Sequence, residues 1–238
     1  MPASAARAKV AAMPAARSRK TQGTQPPSFD FDESSLGALD AGDDAMLDAG
    51  RLDGVAYSGI ARDTWQLESG ATVEACRFDG LDLGTWALRG AHLVESVFAG
   101  ANVPTVSAAR GGWRDVELRD SRFGSVEAYD VAWRGIRFSR CKLGYVNLRG
   151  AELLDVAFVD CTIDEIDLLD ASARRVAFDG ARIGTLNAGG ARLTDVDLRG
   201  ADLSQVVGME GLRGATISPE QLQLMAAALA DLAGIVVE

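Results

Sequence analysis

The chain is poor in the residues from which most catalytic and cross-linked sites are made. Its 238 residues include one histidine, three cysteines, six prolines and only 6% aromatics. A single histidine excludes a histidine-based triad and a multi-histidine metal centre. Three cysteines exclude a disulfide scaffold and suit a reducing compartment. The longest near-apolar run, 225–237, is interrupted by Asp231 and is too short to span a bilayer. No apolar core of a signal peptide follows Met1. A cytoplasmic protein independent of membranes is therefore expected. There is also no G-x-x-x-x-G-K, CxxC or HExxH motif, so neither a cofactor nor a metal is expected.

Charge is present in quantity but unevenly placed. The net charge is −10, from 24 basic and 34 acidic residues. Residues 1–28 carry +5 and no acid, which predicts a disordered basic tail. Residues 29–72 carry −8, residues 73–207 carry −4 and residues 208–238 carry −3.

A period of five runs through the middle of the chain. Every fifth residue from Val73 to Leu203, 27 positions in all, is apolar. At the background composition this arises by chance about once in 10⁸ sequences. Two residues before each beat lies a second restricted set, rich in Ala and Val and containing Cys76, Cys141 and Cys161. Paired apolar positions that repeat every five residues fit neither a helix nor a plain alternating strand. They fit a short extended side with two inward residues followed by a turn. Four such sides make a coil of 20 residues. Sampling every 20 residues gives Phe78, Phe98, Leu118, Phe138, Phe158, Phe178 and Leu198, a column holding five of the eight phenylalanines. A second column holds Trp113 and Trp133. Coils stacked at strand spacing would set these rings about 4.8 Å apart.

The units Ala91-His92-Leu93, Ala151-Glu152-Leu153, Ala201-Asp202-Leu203, Val146-Asn147-Leu148 and Leu81-Asp82-Leu83 resemble the A(D/N)LXX repeat of the pentapeptide-repeat family. The array covers 71–205, or 27 units. The resemblance implies an all-β solenoid, a right-handed quadrilateral β-helix, here of nearly seven coils and about 32 Å in length. Pro104, the array's one proline, falls where a turn begins. Both ends need closing to hide unpaired edges. Residues 29–70 are expected to form an acidic N-terminal cap with an irregular first coil. At the other end, 208–238 is expected to form a capping helix. Ser218-Pro219-Glu220-Gln221 reads as its N-cap and capping box. Leu222, Met225, Leu229 and Leu232 form the face expected to cover the last coil, and Ile235, Val236 and Val237 form a strand able to pair two copies.

Function is expected on the outside, because Leu, Phe, Val and Ala should fill the tube and leave no room for catalysis. His92 falls at a corner-like polar position. Cys141 and Cys161 are expected as stacked buried thiols, and Gly189-Gly190 with Asp195 is too isolated for a calcium-binding roll. Outward residues 20 apart are mostly of opposite charge, as in Asp120–Arg140–Asp160, Asp155–Arg175–Asp195 and Glu117–Arg137. These read as pairs that knit neighbouring coils. A run of acids without a base includes Asp155, Asp160, Asp164, Glu165, Asp167 and Asp170, a candidate patch for a protein partner. The leading expectation is a non-enzymatic protein-binding scaffold. The alternative implied by the resemblance is a DNA-mimicking binder of DNA gyrase, of the quinolone-resistance type. About 32 Å of duplex carries about 19 negative charges. The array has twenty acids but also sixteen bases. The rod itself is not expected to bind nucleic acid.

Overall fold

The computed structural model describes residues 23–48 and 50–237. The five-residue beat becomes the sides of a four-sided parallel β-helix. In the coil after Gly90, the strand His92–Ala99 bends at Glu95 and the chain turns at Gly100. The strand Asn102–Ser107 follows, and Arg110 closes the circuit. Glu95, Gly100 and Arg110 have left-handed backbones, with φ of 47°, 65° and 61°. The same corners recur as Asp115, Asp120 and Asp130, and again as Asp155, Asp160 and Asp170. Aspartate is among the few residues other than glycine that tolerate this region. Pro104 marks the fourth corner, which has no left-handed residue in its coil. Its ring fixes φ near −65°, and ladder pairing passes from Val103 to Thr105 around it.

From Thr72 to Val207 successive coils pair in parallel at an offset of 20, as in Trp113 with Trp133, Phe138 with Phe158 and Leu143 with Ile163. The ladders make one 12-stranded and one eight-stranded sheet, the latter with one strand per coil, so there are about eight coils. One more coil precedes the sequence array. Residues Ala61–Gln66 pair 21 positions ahead, whereas Thr72–Glu74 pair 20 ahead, so one extra residue is absorbed between Gln66 and Thr72. This insertion hides the coil from a search at fixed period.

Of the 27 beat positions, 26 are buried, and Leu203 in the last coil is half-buried. The rings stack as a ladder: Phe78 on Phe98 at 4.9 Å, and Phe138 on Phe158 and Phe158 on Phe178 at 5.0 Å. Trp113 lies on Trp133 at 5.1 Å. Two inward serines tie coils together: Ser96 and Ser121 accept the N–H of Cys76 and Ala101, each donating to a carbonyl of its own coil. The three cysteines are free and buried. The neighbouring Cys161 thiol and burial push the Cys141 thiol up, and burial does the same to Cys76.

The ends are closed differently. At the N-terminus a one-turn helix, α1 (Asp44–Leu47), buries Leu47 completely over the bore. Trp65 Nε1 donates to the Leu47 carbonyl at 2.9 Å. At the C-terminus the helix α2 (Pro219–Leu232) begins with the expected capping box between Ser218 and Gln221. Gln221 Nε2 also donates to the Leu198 and Ala201 carbonyls, both at 2.7 Å. It thereby seals the acceptors of the last turn. The apolar face of α2 differs from expectation: Met225 is buried and Leu229 half-buried, but Leu222 and Leu232 are exposed. The Gln221 contacts rotate the helix onto its Gln221–Met225 edge.

The ladder yields a test. Replacing Phe158 by Ala removes a ring stacked on both sides and should cost about 3–5 kcal/mol in urea unfolding. Replacing the exposed Asp164 by Ala should change stability by less than about 0.5 kcal/mol.

Candidate interaction surfaces

Alternate residues of each side point outwards, giving four faces. In the coil after Gly90 the first bears His92 and Val94, the second Val97 and Ala99, the third Asn102 and Pro104, and the fourth Ser107 and Ala109. Charges pair between coils as the spacing of 20 predicts. Arg140 makes two bonds to Asp120 at 2.7 and 2.8 Å, and Arg175 makes two to Asp155 at 2.6 and 2.5 Å. Arg137 reaches Glu117 at 2.6 Å. The like-charged neighbours Glu95 and Asp115 are bridged by Arg114, 3.2 Å from each.

The acidic run divides in two. Asp155 and Asp167 are only 5% and 1% exposed, so they are corrected from partner-binding candidates to internal acceptors. Asp167 accepts from Arg149 at 2.7 Å and from Asn187 and the Leu169 N–H at 3.0 Å. Asp160, Asp164, Glu165 and Asp170 are exposed, and no ion pair involves them among the described residues. They occupy three different corners of one coil. The run thus girdles the rod and does not run along it.

The segment before the rod was not legible as part of it. Residues 24–35 cross the coils in reverse order, from the C-terminal end toward the N-terminal end. Thr24 bonds to Thr216, the Gln25 N–H to Asp195 at 3.2 Å, and the Ser28 N–H to Asp155 at 3.0 Å. Arg137 stacks 4.3 Å above the Phe29 ring. Glu33 then pairs with Arg119 and Arg77. This strap lies along the second face, where Val97 is fully buried and Ala157 is 6% exposed although the pleat turns both outward. Apolar residues in outward columns were the one signal of a covering segment. Of the expected disordered tail, 24–28 belongs to this strap, and 1–22 lies outside the described residues.

The C-terminal end presents the opposite case. Leu224 and Val236 are 82% and 81% exposed, beside exposed Leu222, Leu232, Ile235 and Val237. Among the described residues no three His, Cys, Asp or Glu side chains cluster as metal ligands, and no helix is long and apolar enough to cross a membrane.

Asp155 anchors both a coil pair and the strap. Burial opposes its charge, but the Arg175 guanidinium and the Ser28 N–H outweigh that and hold its carboxyl below the usual carboxylate range. A carboxyl depressed by folding stabilises the fold above its unfolded value, near pH 4, and loses that contribution as pH falls through the folded value. Urea unfolding of Asp155→Asn should therefore show a shallower loss of stability below pH 4 than the parent. Arg175→Ala, which strands the buried carboxylate, should cost about 1–3 kcal/mol at pH 7.

No protein-family model and no curated protein matches the chain. Fourteen chains of solved structures do. One is a trypsin-treated form of QnrB1, described as a plasmid-mediated fluoroquinolone resistance protein. It is 16% identical over 79% of this chain and 91% of its own, with a TM-score of 0.25, an overlap too loose to bear on function.

Proposed function

We propose that this chain is a non-enzymatic pentapeptide-repeat rod that binds another protein through its outer surface. The observation that carries this reading is the packed bore. Its inward columns are filled by stacked Phe, Trp, Leu, Val and Ala from Leu52 to Leu198. Side chains that meet solvent lie on faces, corners and ends, the geometry of a recognition surface. The exposed acids Asp160, Asp164, Glu165 and Asp170 are the proposed contact for a basic partner segment.

What favours a scaffold over the gyrase-binding DNA mimic is the layout of charge. A mimic needs an acidic stripe along the axis, whereas these acids encircle it and many others are neutralised by arginines from the next coil. A gyrase supercoiling assay separates the two readings. No inhibition is expected at micromolar protein, and inhibition there would establish the mimic. The scaffold reading expects the combined variant Asp160→Asn, Asp164→Asn, Glu165→Gln, Asp170→Asn to lose its partner in a pull-down, while retention of the partner would remove the girdle as the contact.

The proposal includes a homodimer through the C-terminal segment. α2 and the residues after it leave six large apolar side chains exposed, the kind of surface that a second copy can cover. Light scattering should give twice the chain mass of 25.0 kDa, and Leu224→Glu with Val236→Glu should return it to the monomer mass. A parent that is monomeric at 100 µM would refute the dimer.

A further inference from the structure

The first face carries a groove that no described residue fills, and it crosses more coils than the grooves of the third and fourth faces. It is a shallow, open depression that runs across the coils from Thr72 to Arg192, with room of about 800 Å³. Its small residues, Gly112, Ala132 and Ser172, expose the sheet beneath, and Val94 and Leu154 add apolar surface. Along it stand Arg114, Arg134, Arg174 and Arg192 against a single acid, Glu152. Arg114 is held by Glu95 and Asp115, and Arg192 donates to Ser172 Oγ at 2.8 Å. Arg134 and Arg174 are exposed and make no ion pair among the described residues. In a chain of 34 acids, two guanidiniums beside an apolar floor are an unmet demand for carboxylate.

We infer that this groove binds an extended acidic peptide segment of a partner protein, with apolar residues alternating between its carboxylates. The inference goes beyond the scaffold reading, since it uses a face and a charge sign that the acidic girdle does not. Size supports it. The six steps between its seven coils, at about 4.8 Å each, give about 29 Å, the span of about nine extended residues at 3.3 Å each. The strands here run across the rod, so a peptide lying along it gains no ladder bonds. Recognition falls to the arginines and the apolar floor. Alternation suits that division, with one edge of the peptide facing the guanidiniums and the other the floor.

The test is fluorescence anisotropy on the full chain with a labelled nine-residue peptide alternating glutamate and leucine. Binding is expected, weakening as salt rises. It should weaken by at least about tenfold in Arg134→Ser with Arg174→Ser, two exposed changes that should leave the melting temperature in place. It should be unchanged in the girdle variant, which separates failure of this site from failure of the acidic contact. The reversal Arg134→Glu with Arg174→Glu should prefer a lysine–leucine peptide. No binding, or binding that survives the arginine changes, would overturn the inference. So would tighter capture of a nine-nucleotide single strand lost in the same variant, which would make the face a general polyanion site.

Discussion

The structure depends on one constraint: each inward side chain must stack on its counterpart one coil away, which through the repeat array means 20 residues away. Parallel pairing at a fixed offset places like on like, so phenylalanine meets phenylalanine at 4.9–5.0 Å and tryptophan meets tryptophan at 5.1 Å. Such a column has no slack, because a slip of one residue would turn the whole set outward. The corners are the means of keeping that offset. Left-handed residues at three corners of every coil from Arg51 to Gly190 let the chain turn without losing a step, which is why Gly and Asp recur there.

That demand changes how the acids are understood. Asp115, Asp120, Asp130, Asp155, Asp160, Asp170 and Asp195 all have positive φ. Much of the rod's acidity is therefore a consequence of turning, and arginines from adjacent coils absorb part of it. A count of acids overstates the acidic surface. What distinguishes one face from another is the charge left after these pairs are formed. By that measure the exposed girdle around Asp164 and the arginines of the first face each keep charge that no ion pair among the described residues balances.

The period makes the core legible in the sequence: 26 beat residues are buried, and both aromatic columns stack as their spacing implies. The C-terminal capping box was legible from Ser218 and Gln221, because it is a local motif. Three features were not. The first coil was hidden by one inserted residue. The strap was hidden because its contacts, such as Ser28 to Asp155, join residues 127 positions apart. The burial of Asp167 was hidden because its partners Arg149 and Asn187 lie in neighbouring coils at positions where charge pairing alone gives no order. Local and periodic information survives in a sequence, whereas contacts made once do not.

The central claim is a rod that advances one strand spacing for every 20 residues. Spin labels on cysteines placed at His92 and Arg192 test it most directly, since both are exposed on one face and the native thiols are buried. Five coil steps at about 4.8 Å set the backbones about 24 Å apart although 100 residues lie between them. A single narrow distance distribution near that value, allowing for the labels, is the result this account predicts. A broad distribution, or one centred beyond about 40 Å, would contradict it.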